Sequence, residues 1–326
     1  MSDYQDRVVA QLFHQNYITE NQYTDFKTYK SLGIFSLHNE LRLLLYLSVL
    51  LFTSGVGMLV YQNIDRIGHI AILTALFLVT VICFYFCIKK APSFQKEATA
   101  FSEPLYDYLL LAANLLACSF IGYLQFQFQV FGTYYQIATL LPTLISLFCA
   151  YYFDNKTILT LGLTGLAAFF GLSVSPASFL NGNLLEQSSL SYSGILLGIG
   201  LVFWNIYAHK INLKSHFKVV FLNFALHLIS IGLVVNLFEP YWYVYLLLLA
   251  LSSYYFYQTS IRLSEIAIYV FAIIYAYIGI NVLIFKILDL IDLEKLVSLL
   301  TILFPIYIVA SIIAFVRLIK QFKSKK

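Results

Sequence analysis

Beyond Arg42 the chain runs as apolar blocks of about 17–23 residues separated by short polar breaks. A helix rising about 1.5 Å per residue needs roughly 20 apolar residues to cross a hydrocarbon layer of about 30 Å, so each block matches one membrane crossing. The blocks lie at 43–61, 67–88, 105–124, 134–153, 157–174, 191–208, 217–237, 241–258, 264–286 and 297–317. They predict an all-α fold: a polytopic integral membrane helical bundle of about ten transmembrane helices, preceded by a small N-terminal cytoplasmic helical segment. Between the seventh and eighth blocks stands Glu239-Pro240, a charge followed by a helix breaker, which reads as a tight turn. Composition agrees: 60% of the 326 residues are hydrophobic and 11% charged, against about 45–50% and about 25% in an ordinary soluble domain.

Charge placement orients the bundle, because cytoplasmic loops are enriched in Lys and Arg. With ten crossings, seventeen of the twenty basic residues fall on one side and only Arg66, Lys286 and Lys295 on the other. Adding or dropping one crossing reassigns every later loop and evens out the tally. Both termini are therefore expected in the cytoplasm. The chain divides into a cytoplasmic helical segment at 1–40, a transmembrane bundle at 41–317 and a basic cytoplasmic tail at 318–326. One external connection, 285–295, places Lys286, Asp289, Asp292 and Lys295 every third residue. That pattern suits either a short interfacial helix or a simple extension of the ninth span.

In the N-terminal segment, Thr19-Glu20-Asn21-Gln22 has the form of a capping box, in which the Thr hydroxyl and the Gln side chain satisfy free backbone donors at a helix start. Helices are expected near 3–15 and 20–31, with Ser36 and Asn39 opening a further helix into the first span. The first forty residues carry no basic-then-apolar pattern ending in a cleavage site, so no secretory signal is expected. Cys83 and Cys87, Cys118 and Cys149 sit in three different apolar blocks without a Cys/His cluster, so neither disulfides, nor a metal, nor any cofactor is anticipated.

Three stretches carry a family resemblance. The first is Tyr17-Ile18-Thr19-Glu20-Asn21-Gln22; the second is Gly55-Val56-Gly57 followed by Gln62-Asn63-Ile64-Asp65, with Ile64 where Trp is usual. The third is Leu124-Gln125-Phe126-Gln127-Phe128-Gln129-Val130-Phe131-Gly132 with Leu141-Pro142 in the next helix. Together, over about residues 15–175, they resemble the bacterial polytopic membrane proteins grouped as domain of unknown function 2157. The resemblance implies a membrane bundle in the bacterial cytoplasmic (inner) membrane and brings no activity with it.

Enzyme signatures are missing where they would be readable: no Gly-rich phosphate loop, no His-Glu-x-x-His, no Gly-x-Ser-x-Gly and no carboxylate pair within a span. An intramembrane enzyme that gathers polar residues from distant spans stays open. No Asp, Glu, Lys or Arg falls near the middle of a span, which leaves His227 as the one titratable candidate at mid-depth. With Asn223 one turn earlier and Ser230 three residues later it makes a polar stripe. Asn114 lies mid-span in the third helix, and both groups suit either a site or interhelical hydrogen bonding.

The row Gln125, Gln127, Gln129 alternates with Phe126, Phe128 and Val130. An extended segment would put the three amides on one face, as the lip of an outward cavity; a helix would split Gln127 from the other two. The candidate substrate-binding seam is thus His227, Asn223, Asn114, Gln125 and Gln129, with His227 and Asn114 facing inward and the glutamines near the external mouth. Gly194-x-x-x-Gly198 and Ala167-x-x-x-Gly171 read as close helix packing within the bundle.

The leading functional expectation is transport or translocation of an uncharged or amphipathic solute. The alternative is a non-catalytic scaffold or assembly subunit that recruits a protein partner through the N-terminal segment. The bilayer is the one partner that composition requires. Lys320, Lys323, Lys325 and Lys326 add a contact for anionic lipid, worth about 1 kcal/mol per charge near the surface. No nucleic-acid partner is expected.

Overall fold

The computed structural model describes residues 9, 12–13, 15, 17–31, 38–62, 68–174, 188–289 and 297–324. Two compact units divide at Gly55 and Val56. In the first, α1 (Glu20–Ser31) starts on the capping box: Thr19 N–H donates to Gln22 Oε1 at 2.9 Å and Gln22 N–H to Thr19 Oγ1 at 3.4 Å. The helix expected near 3–15 lies mostly outside the described residues. The helix α2 (His38–Gln62) begins in this unit and carries the apolar stretch Leu43–Leu59. The turn at Asn63-Ile64-Asp65 lies outside the described residues.

The second unit is an all-α polytopic bundle. Its helices are α3 (His69–Lys90), α4 (Leu105–Phe128), α5 (Tyr135–Phe153), α6 (Lys156–Val174), α7 (Ser188–Lys210), α8 (Lys218–Asn236), α9 (Trp242–Leu263), α10 (Ile266–Asp289) and α11 (Val297–Ser324). A 3-10 turn, Ser215–Phe217, leads into α8. Among the described residues, eight helices are long and apolar enough to cross a membrane: α3 to α8, α10 and α11. The tyrosine- and serine-rich α9 falls short in hydropathy although it runs for 22 residues.

Consecutive helices pair as antiparallel hairpins, α3 with α4, α5 with α6, α7 with α8 and α9 with α10. The connections within three of these pairs are short, 154–155, 211–217 and 264–265, whereas α3 and α4 pair across 91–104. Between α8 and α9, Glu239 N–H bonds Asn236 O at 3.2 Å and Trp242 N–H bonds Glu239 O at 3.1 Å, so the Glu-Pro pair sits in the tight turn read from the sequence. The core is centred on α5, α6 and α8, where Ala150, Ile158, Leu159, Leu222 and Leu226 are fully buried. Lipid tails are as apolar as leucine, so contact between helices depends on fit. Gly232 supplies that fit: a Cβ there would lie 2.8 Å from Ser191 O of α7, and one at Gly198 of α7 would meet Ile229 of α8 at 2.6 Å. The Gly194–Gly198 stripe thus packs within the bundle.

Candidate functional site

The most elaborate polar constellation in the described bundle lies at one end, where three connections converge. The turn between α5 and α6 has only two residues. Asp154 adopts the left-handed conformation (φ 58°), which Asp tolerates better than most side chains, and its N–H caps Ala150 O. Asn155 then caps α6, its Oδ1 accepting from Thr157 N–H at 2.9 Å and Ile158 N–H at 3.1 Å. This geometry turns the Asp154 carboxylate into the protein, where its side chain is 1% exposed.

Four donors from two other connections meet that carboxylate. Thr99, between α3 and α4, gives its backbone N–H to Oδ2 at 2.5 Å and its hydroxyl at 3.4 Å. Lys214, between α7 and α8, brings Nζ to Oδ2 at 3.1 Å. His216 Nε2 makes a short contact with Oδ1. The Lys214 side chain is fully buried, and its ammonium also donates to Glu97 O at 3.1 Å and Thr99 Oγ1 at 3.4 Å, beneath the Phe94 ring at 5.5 Å. Its own backbone, left-handed at φ 47°, donates to Lys96 O at 2.8 Å. Every proton of the ammonium therefore has an acceptor, the condition under which a buried ion pair persists. Alongside, Asn155 Nδ2 donates to Asp107 Oδ1 at 3.0 Å, and Phe101 stacks on Phe153 at 5.8 Å.

Sequence reasoning missed this cluster. It counted Lys214 only as one more basic loop residue. Asp154 and Lys214 are separated by 60 positions with no spacing rule to connect them. The one local hint was an Asp-Asn pair squeezed between two apolar blocks.

Of the candidate seam, His227, Asn114 and Gln125 are held by separate partners. His227 of α8 is half-buried, with Nδ1 2.9 Å from Tyr275 OH of α10 and its ring edge-on to Phe271 at 4.5 Å. Asn223, one turn earlier, is half-buried. Asn114 of α4 is fully buried; its Nδ2 donates to Leu110 O of its own helix at 3.0 Å, and its Oδ1 has no partner. Gln125 is helical and 3% exposed, donating to Gly132 O at 2.8 Å and accepting from Phe131 N–H at 3.0 Å, so its amide clamps the connection that follows. Gln129 is exposed and ends α4 in the left-handed conformation (φ 46°). Because α4 runs to Phe128, Gln127 is split from Gln125, as the helical alternative requires. Similarly α10 extends through Lys286 to Asp289, while the rest of the expected interfacial segment lies outside the described residues.

Two grooves of the bundle are apolar. One of about 630 Å³ lies between α9 and α10, and one of about 410 Å³ is lined by α6, α7 and α8. Among the described residues no group of three His, Cys, Asp or Glu side chains is placed to hold a metal.

No curated protein and no solved structure matches the chain. Its first half does have a counterpart, one that includes Thr99 and Asp154 but stops short of Lys214 and His216: residues 10–159 match the family described as Predicted membrane protein (DUF2157), in agreement with the resemblance carried by the sequence.

Proposed function

We propose that this multi-pass membrane protein serves as a non-catalytic scaffold or assembly subunit of a bacterial cytoplasmic membrane, with ten spans and both termini inside. The observation that carries this reading is where charge is buried. The Asp154–Lys214 pair joins three connections at one end of the bundle, on the side that the Lys/Arg distribution assigns to the cytoplasm. A fixed ion pair of this kind stiffens a surface; it does not present an exchangeable charge at mid-depth, as ion-coupled transport usually does. The N-terminal helical segment then recruits a protein partner, and Lys320 with the basic residues after it engages anionic lipid.

The second reading is transport of an uncharged or amphipathic solute along the seam of His227, Asn223, Asn114, Gln125 and Gln129. The half-buried His227–Tyr275 pair favours it. Water access separates the two. In a background with the four native cysteines replaced by alanine, Asn114→Cys, Asn223→Cys and His227→Cys are exposed in sealed vesicles to a membrane-impermeant maleimide from each side. A scaffold leaves all three unlabelled. Labelling of two or more from either face means a hydrated seam and reverses the choice.

A further inference from the structure

A further groove, of about 590 Å³, opens where the turn between α8 and α9 meets the C-terminal half of α10. The helix α8 separates this end of the bundle from the Asp154–Lys214 end. The groove is lined by apolar Phe238, Ile278, Val282 and Phe285 and by two polar residues of α10, Asn281 and Lys286. Tyr241, Trp242 and Tyr243 stand beside it with their rings in edge contact. Such aromatic clusters mark the level of the membrane–water interface. The Lys286 ammonium lies 5.9 Å from the centre of the Trp242 ring, which puts the charge at head-group depth. Among the described residues no carboxylate pairs with it.

Five positions earlier, about 7.5 Å deeper along α10, Asn281 is fixed from two sides. Its Nδ2 donates to Tyr277 O at 2.7 Å, and its Oδ1 accepts from Tyr307 OH of α11 at 3.0 Å. An amide nitrogen carries two protons, so one remains for a ligand in the groove. Both Asn281 and Lys286 are partly exposed, and a ligand there reaches them. An acyl chain alone offers no acceptor to the amide and no anion to the ammonium. A glycerophospholipid offers both in one molecule and in the matching order: phosphate outermost, ester carbonyls beneath it, acyl chains deepest. We propose that the groove is a binding site for one glycerophospholipid, with its phosphate on Lys286, an ester carbonyl on Asn281 and an acyl chain against Val282 and Ile278. The phosphate–ammonium contact is charge-assisted, which distinguishes this lipid from the bulk bilayer. The site is separate from the basic residues at Lys320 and beyond, and it does not depend on the scaffold reading.

The test is native mass spectrometry of the full chain in detergent micelles, titrated with phosphatidylglycerol and, separately, with diacylglycerol of the same acyl chains. The expected result is one phosphatidylglycerol retained at low lipid concentration and no such adduct with diacylglycerol. Lys286→Gln should weaken the adduct tenfold or more, Lys286→Arg should keep it, and Asn281→Val should weaken it several-fold. Lys320→Gln combined with Lys323→Gln should leave it unchanged. Binding indifferent to Lys286→Gln overturns the proposal, and so does equal retention of diacylglycerol, which would make the groove an unselective apolar surface. Should Asn281→Val loosen α11, Lys286→Gln decides, because it breaks no recorded hydrogen bond.

Discussion

Two polar regions of this bundle follow opposite rules. At the end where residues 91–104, 154–155 and 211–217 meet, one carboxylate is shared by donors from two other connections, and the full charges of Asp154 and Lys214 are removed from solvent. Along the spans, the recorded polar contacts are local or pairwise: Asn114 bonds Leu110 O, Asn236 bonds Gly232 O and Ser191 Oγ at 2.7 Å each, and His227 meets Tyr275. The difference teaches where this chain puts irreplaceable electrostatics. In hydrocarbon a helix satisfies its own backbone, and its carbonyls one turn back also accept from a side-chain amide, as Leu110 O does from Asn114 and Gly232 O from Asn236. A connection without regular structure has no such internal supply, and there a buried ion pair sets its conformation.

The largest test of that contrast is Asp154→Ala. It strands the Lys214 ammonium in a buried site and should cost about 3–5 kcal/mol, whereas Asp154→Leu combined with Lys214→Met should recover most of the loss. Thermal unfolding in a mild detergent measures both. A single variant within about 1 kcal/mol of the parent would mean that water reaches the lysine, and the contrast with the spans would collapse.

Gln125→Ala comes next, since it removes one bond to Gly132 O and one from Phe131 N–H. The expected cost is about 1–3 kcal/mol, concentrated locally. Faster amide exchange across 129–134 with little change in α5 would sharpen the distinction between connections and spans; uniform loosening of the bundle would blur it.

At mid-span, His227→Phe should lose about 0.5–1.5 kcal/mol, the worth of one neutral hydrogen bond. A double-mutant cycle with Tyr275→Phe isolates the pair, and a coupling above about 2 kcal/mol would place it with the end cluster instead. Stability unchanged, together with loss of a measurable transport or growth phenotype, would support the seam.

The smallest effect is expected of Asn114→Ala, under about 1 kcal/mol, because its donor bonds its own helix and its Oδ1 is already unpartnered. Pulse proteolysis in detergent micelles is sensitive enough to register it. A loss of several kcal/mol would reveal an interhelical partner for Asn114 and erase the asymmetry between the two regions.

Much of the architecture was legible before any coordinates. Crossing a low-dielectric layer imposes a length and an apolar content on each segment, and neither depends on neighbours. The chain therefore announced its helices, and Thr19 with Gln22 announced the start of α1. The glutamine row was legible only as a choice between periods, which the continuation of α4 to Phe128 decided. The Asp154 cluster was not legible, because its members come from three connections and the pattern of a loop carries no period.

By itself, then, the sequence determined the solvent of this protein and its all-α class, since those follow from local hydropathy. Only the tertiary structure decided which polar groups meet. It paired Asp154 with Lys214 and His227 with Tyr275, left Asn114 Oδ1 alone, and opened an apolar groove between α9 and α10. The physical reason is that burial in lipid is a property of one segment, whereas a hydrogen bond or ion pair between segments depends on rotation and height of two helices together, which no single stretch of residues encodes.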